Sequence, residues 1–287
     1  MATQDKATKL LALVDGSAYS KSVCDHVAWA AARTDASVDI VHVLGRREAP
    51  EQRDLSGSIK LGARTALLEE LSELDERRSK LAITHGRAIL DDAKSILDKA
   101  GVDAVQTHMR RGDLVETINA MEGDADLLVI GKRGEAADFA KLHLGSNLER
   151  IIRSAKKPVL VTSRAFEPIR RVVIAYDGGT STLKAIDMVA RSPLCVGLEC
   201  HVVMVGVEDA KSRTALNQAA ATLATGGHEA QLHSLPGTPE TVLGAFVEPG
   251  DVLVMGAYGH SRIRSMIIGS TTSEMIRTCK VPLVLVR

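Results

Sequence analysis

The sequence predicts an α/β fold built as two tandem doubly wound modules, each a five-stranded parallel sheet of order 3-2-1-4-5 flanked by helices. Three observations lead there. Short runs of Val, Leu and Ile alternate with longer segments of helical periodicity. Strands of that kind, if parallel, need a crossover between them, which the intervening helices supply. And the motifs of the first half recur, in order, in the second.

In the first half the strands are expected over 10–14, 38–44, 104–108, 127–130 and 159–162. Each is apolar at consecutive positions, the pattern of a strand buried on both faces. A helix is expected over 20–34, where Val23, Val27, Ala30 and Ala31 form one stripe. Segments 61–74 and 88–99 repeat that spacing as two further helices, and 114–121 and 148–155 supply shorter ones. The second half keeps the same elements but shortens one crossover, leaving a single helix over 211–224.

The repeat is legible in its offsets. Lys9-Leu-Leu-Ala-Leu-Val-Asp15-Gly16 resembles Arg171-Val-Val-Ile-Ala-Tyr-Asp177-Gly178, and Val43 matches Val205 at the same offset of 162. Gly131 matches Gly256 at 125, while Gly145 and Gly269, and Pro158 and Pro282, stand 124 apart. The second copy therefore lacks about 37 residues between its second and third strands. The joint falls near 164–168, where Pro168 ends the preceding strand pattern, so the modules are expected over 1–165 and 166–287.

Composition narrows the function. The 287 residues are 45% hydrophobic and 25% charged, with 36 basic and 36 acidic side chains. A balanced charge gives no footprint for nucleic acid, and three Phe, three Tyr and one Trp are too few for a base-stacking surface. No apolar run approaches the ~18 residues of a membrane span. The apolar stretch over 10–14 is too short for a signal-peptide core. Cys24, Cys195, Cys200 and Cys279 form no Cys-x-x-Cys pair, so neither a disulfide framework nor a zinc knuckle is indicated, and a cytoplasmic protein is expected.

In doubly wound sheets a ligand sits beyond the carboxyl ends of the strands, where the strand order reverses. In the second copy those positions are Asp177-Gly178-Gly179, Val205-Gly206, and the stretch from Met255 and Gly256 through Gly259 to Gly269-Ser270-Thr271. Two glycines three apart let a ligand approach the backbone. A third, followed by Ser270, Thr271 and an apolar-periodic helix, marks a helix N-terminus, whose free N–H groups and dipole attract phosphate oxygens. His260, Arg262 and Arg264 add charge to the loop between.

On these residues the chain resembles the universal stress protein family, whose ATP-binding members carry Gly-x2-Gly-x9-Gly-(Ser/Thr) after the fourth strand and an Asp after the first. The second copy matches in full through Gly256, Gly259, Gly269 and Ser270. The resemblance implies that Asp177 and Val205 hold the adenine and ribose, that Met255 and Gly256 line the middle, and that Gly259, Gly269, Ser270 and Thr271 hold the phosphates. It implies ATP, ADP or AMP as the ligand, with Mg as the ion such a nucleotide brings. In the first copy Asp15, Val43, Ile130, Gly131, Gly134, Gly145 and Ser146 occupy the equivalent places. There Gly134 and Gly145 are separated by ten residues rather than nine, and the loop carries Glu135 and Asp138, which oppose polyphosphate unless Lys132, Arg133 and Lys141 offset them.

Blander readings stand beside these. The glycines could serve turns and helix–sheet packing alone, Asp15 and Asp177 could make Asx-turns, and Ser270 and Thr271 could be plain capping residues. The histidines show no His-Glu-x-x-His spacing, so no metal site is expected, and His42, His108, His201 and His233 read as packed or surface residues. No Gly-x-Ser-x-Gly elbow and no Gly-x4-Gly-Lys-(Ser/Thr) loop occurs. The expectation is a stress-response regulatory protein that binds nucleotide and is not an enzyme, its binding reshaping the 262–266 segment that a protein partner would see. A slow ATPase or self-phosphorylating activity at Ser270 or Thr271 is a third reading. A second is an interaction module with vestigial sites, favoured by the helical insert over 46–81, whose Glu69, Glu70, Arg77 and Arg78 otherwise read as a solvated face.

The final strand of each copy, 159–162 and 283–286, is apolar and would form an exposed sheet edge. Single-domain relatives pair through this strand, so the two copies are expected to pair within one chain as an intramolecular pseudo-dimer, with a homodimer of whole chains as a further level.

Overall fold

The computed structural model describes residues 8–45, 61–134, 146–257 and 268–287, with side chains excepted at 61–68 and 146. The first half runs β1 (Lys9–Leu13), α1 (Ser20–Thr34), β2 (Ser37–Leu44), α2 (Leu61–Lys99), β3 (Val105–Arg111), α3 (Leu114–Met121), β4 (Leu127–Gly131), α4 (Ser146–Ser154) and β5 (Val159–Thr162). The second runs β6 (Arg171–Ala175), α5 (Thr180–Arg191), β7 (Glu199–Val205), α6 (Ala210–Thr225), β8 (Ala230–Leu235), α7 (Pro239–Phe246), β9 (Asp251–Gly256), α8 (Ser270–Thr278) and β10 (Leu283–Val286).

All ten strands form one sheet of order β3-β2-β1-β4-β5-β10-β9-β6-β7-β8. Each half is thus 3-2-1-4-5, parallel throughout, and the halves meet antiparallel at β5 and β10, with Leu160 opposite Val284. Every residue of both strands is buried. That junction removes the two apolar edges that the sequence leaves open.

The strand residues alternate between two apolar layers. Leu10, Ala12, Val172 and Ile174 pack on the α1, α2, α5 and α6 side, whereas Leu11, Leu13, Val173 and Leu253 pack on the α3, α4, α7 and α8 side. Each layer is shared by both halves, so the sheet behaves as one folding surface. Polar latches add to it. Arg33 donates from Nε to the Leu194 carbonyl at 2.7 Å and from Nη2 to that of Val196, and Ser22 Oγ donates to the Ser163 carbonyl at 2.8 Å.

One expectation is corrected. The helices over 61–74 and 88–99 are a single 39-residue helix, α2. The intervening residues contain no proline, and the helical cost of Gly86, about 1 kcal/mol, is small beside the packing it permits. A Cβ there would lie 2.9 Å from the His42 ring, so only glycine lets α2 cross β2 at this point. The edge strand β3 also runs three residues beyond its expected end, because Arg111 still pairs with Leu44 of β2.

Candidate functional site

The carboxyl ends of β6, β7 and β9 converge with the start of α8 around a cavity of about 200 Å³. Asp177, Val205, Met255, Gly256, Gly269, Ser270 and Thr271 all line it, so the structure brings together every described residue expected of the second site. Gly259, with His260, Arg262 and Arg264, lies outside the described residues, as does the 262–266 segment expected to move.

Local chemistry positions each residue. Gly178 has φ +74°, the left-handed region where a side chain is strained, and it turns the chain sharply after Asp177. Asp177 Oδ1 accepts the Gly179 N–H at 2.8 Å and the Thr182 hydroxyl at 2.7 Å, an Asx-turn that starts α5. The turn-making reading of this aspartate therefore holds for that oxygen. Gly256 also has a packing reason: a Cβ would lie 2.4 Å from Ser181 Oγ, so glycine lets α5 approach β9.

The start of α8, like those of α1, α5 and α7, has no side-chain cap, in contrast to α3 and α6. Asp113 caps α3 by accepting from Val115 and Glu116 N–H, and Asp209 closes a capping box with Ser212 on α6. At α8 the N-cap is Gly269 and no side chain caps the helix. The hydroxyls that follow point elsewhere: Thr271 Oγ1 donates to Glu240 Oε1 at 2.7 Å, and Thr272 Oγ1 to the Gly256 carbonyl at 3.1 Å. The Thr271 hydrogen bond holds the Glu240 carboxyl below the usual range. Ser270 and Thr271 are thus not side-chain caps, and the first turn of α8, Gly269 to Thr272, lines the cavity at the positive end of the helix dipole.

Thr182, Pro239, Leu243 and Thr272 also line the cavity, and sequence reasoning did not name them. Thr182 had a signal available: at the offset of 162 it matches Ser20, another hydroxyl five residues beyond its aspartate. Pro239 and Leu243 arrive on α7, whose placement depends on the folded chain.

The first copy has the same elements in a different state. Asp15 Oδ1 accepts the Ser17 N–H at 3.0 Å and the Ser20 hydroxyl at 3.4 Å, repeating the Asx-turn. Gly16 has φ +77°, but Ile89 Cδ1 of α2 would lie 2.8 Å from a Cβ there, whereas Gly178 has open space. Gly134 lies against Asp15, whose Oδ2 would be 2.7 Å from its Cβ, and Gly131 packs on Tyr19. Val43 and Ile130 stand one residue before the ends of β2 and β4. Ser146 begins α4, its side chain undescribed, and Gly145, Glu135, Asp138 and Lys141 lie outside the described residues. Lys132 does not serve this site's phosphates: its Nζ donates to the Cys279 carbonyl at the end of α8, 2.7 Å away. Burial pushes that amine down to about 8.

The histidines are packed, as expected: His42 Nδ1 bonds to the Val14 carbonyl at 2.9 Å, and His201 sits between His233 and Glu199. Among the described residues no group of three or more His, Cys, Asp or Glu could hold a metal ion, and no helix is long and apolar enough to cross a membrane.

The universal stress protein family model matches the chain twice, over residues 6–163 and 168–287. Universal stress protein Slr1230 of Synechocystis sp. PCC 6803 is 37% identical over 284 residues, covering 97% of this chain and 99% of its own. The crystal structure of a universal stress protein from Archaeoglobus fulgidus aligns with TM-score 0.67 at 21% identity, covering 98% of this chain and 99% of that one. A putative universal stress protein from Pseudomonas aeruginosa follows at TM-score 0.61 and 15% identity, covering 98% and 93%. At those identities the solved structures speak for the fold alone. With a doubly matched family model and a full-length relative, the chain belongs to the universal stress protein family.

Proposed function

We propose that the second module binds an adenine nucleotide, ATP, ADP or AMP, and that the protein works as a stress-response regulator in the cytoplasm rather than as an enzyme. The observation that carries this reading is the uncapped N-terminus of α8 lining a cavity that Asp177, Val205 and Met255 also line. Amides and a helix dipole favour phosphate oxygens, and Val203, Val205, Leu243 and Met255 offer an apolar wall of the kind an adenine ring packs against. Asp177 is the one carboxylate among the lining residues described. A Mg ion would therefore be held chiefly by phosphate oxygens and water.

Calorimetric titration with ATP, ADP and AMP, beside mass spectrometry of any small molecule released on denaturing fresh protein, tests the proposal. Binding that Gly269→Val abolishes supports it. No heat with any of the three nucleotides, and no retained molecule, overturns it.

One observation favours a second reading. Glu240 accepts the Thr271 hydroxyl at 2.7 Å, supplying the base that the sequence did not reveal. Transfer of a terminal phosphoryl group to Thr271 Oγ1 would send its proton to Glu240 and release the nucleoside diphosphate. Radiolabelled ATP that marks the protein at Thr271, and fails to mark Glu240→Gln, would support it. ATP bound without label or turnover leaves the first reading alone.

A further inference from the structure

A second cavity, of about 690 Å³, lies between α7, α8 and the 163–167 linker, and it shares no lining residue with the cavity at the start of α8. Its volume is that of a small-molecule site. Glu240, Gly244 and Val247, at spacings of four and three, give it one face of α7. Val281 and Pro282, both buried, continue the apolar part of the lining. Carboxylates border it: Glu240 at the start of α7, Glu248 just past its end, Glu274 on α8 and Glu167 on the linker. Asp251 is paired with Arg171 at 2.6 Å, and Lys280 is the one cationic side chain among the described lining residues.

The fold does not require this lining. Gly244 sits inside α7, where glycine weakens a helix. A Cβ there would meet nothing within 4 Å, so packing gives no reason for it. The first module carries different residues at the same places. At the repeat offsets of 125 and 124, Glu240, Glu248 and Glu274 match Val115, Gly123 and Arg150. Arg150 reaches Asp113, ahead of α3, at 2.8 Å, and Glu122, in the place of Val247, is buried with its Oε2 accepting the Lys156 N–H. The same pair of helices is thus tied by an ion pair in one half and bordered by like charges in the other.

The spread of those charges decides what the cavity suits. Glu240 and Val247 are ~10 Å apart along α7 at the helical rise, with Glu248 next in the chain. Among the described residues no three His, Cys, Asp or Glu side chains converge as a metal ion requires. A carboxylate offers about four acceptor sites. The hydrogen bonds that Thr271 makes to Glu240 and Arg277 to Glu274 therefore leave both able to accept another donor. An elongated cation, its charges separated by methylene groups, matches both the apolar lining and the spaced carboxylates.

We propose that this cavity is a second ligand site and that it takes a linear alkyl polyamine, its methylenes on Val247, Val281 and Pro282 and its ammonium groups on Glu240, Glu248 and Glu274. The site is independent of the nucleotide reading: a chain that binds no nucleotide still binds the polyamine.

Calorimetric titration of the full chain with spermidine tests it. The wild type takes spermidine at a single site per chain. Gly244→Leu fills the open face of α7 with a better helix former, and Glu274→Arg installs the first module's residue; each weakens binding by roughly tenfold or more. Gly244→Leu keeps or raises the melting temperature, so its loss of binding is not a loss of fold. Equal binding by wild type and Gly244→Leu overturns the proposal, since diffuse surface charge would then suffice. So does a wild type that takes no spermidine, including the case where the chain's own residues fill the cavity, or one that takes a lysine-rich peptide instead.

Discussion

The two halves make the same turn after their first strand and put it to different use. In the second, Asp177 and Gly178 start α5 over open space and face a cavity ending on an uncapped helix. In the first, Asp15 and Gly16 make the same turn, but Ile89 of α2 presses on Gly16 and Gly134 rests on the aspartate. The difference traces to one insertion. The second half crosses from β7 to β8 with the 16-residue α6, and the first crosses from β2 to β3 with the 39-residue α2. A longer crossover reaches over the end of the sheet, so a repeat can keep its motif residues and still alter the space in front of them.

The comparison can be broken at the ligand. Asp177→Ala removes an acceptor of two hydrogen bonds at an open site, and nucleotide affinity should fall by roughly tenfold to a hundredfold. Asp15→Ala should leave the number and affinity of bound nucleotides unchanged. Calorimetry on both variants checks this, and an equal loss in the two would erase the asymmetry.

Stability should separate the halves next. Gly16→Ala and Gly178→Ala both place a side chain at positive φ, a strain of about 1–2 kcal/mol. Gly16→Ala must also move Ile89, adding about 1–3 kcal/mol of overpacking. Urea unfolding should therefore rank Gly16→Ala as the more destabilised, and equal midpoints would mean that α2 yields without cost.

Alkaline pH should weaken the second half more. Burial pushes Cys24 and Cys195 up to about 12 and Cys200 to about 11, and it raises Cys279 as well, from an ordinary 9.0. A thiol raised in the folded state stays protonated there while its unfolded counterpart ionises. The stability it contributes is complete below pH 9 and is lost as pH climbs toward 11–12. Three of the four thiols belong to the second half. Hydrogen exchange between pH 8 and 10, with temperature-matched correction, should show that half loosening first.

A last test concerns Lys132. Its amine is held at about 8 rather than 10.5, so between those values the unfolded chain carries the extra proton and folding gains as pH rises. Wild type should thus gain stability relative to Lys132→Met as pH goes from 8 to 10.5, by up to about 3 kcal/mol at the full shift. A pH-independent difference would show the amine to be better solvated than its position suggests.

The fold was legible almost throughout because its determinants are local or periodic. Apolar runs marked the strands, and a constant offset marked the repeat. The unpaired edges of 159–162 and 283–286 required a partner, which β5 and β10 provide for one another. The site was legible where the motif touches the backbone, at Asp177, Gly256 and Gly269. It was illegible where a distant element arrives, as with Pro239, Leu243 and Glu240 from α7.

By itself, then, the sequence determined the two-module sheet and its chemistry-bearing turns, because strand burial, glycine turns and helix starts are set within a few residues. The tertiary structure alone decided which turn stays open, that Lys132 spans the halves, and that α2 is one helix. Those outcomes depend on where long elements cross the sheet, a distance that no local pattern encodes.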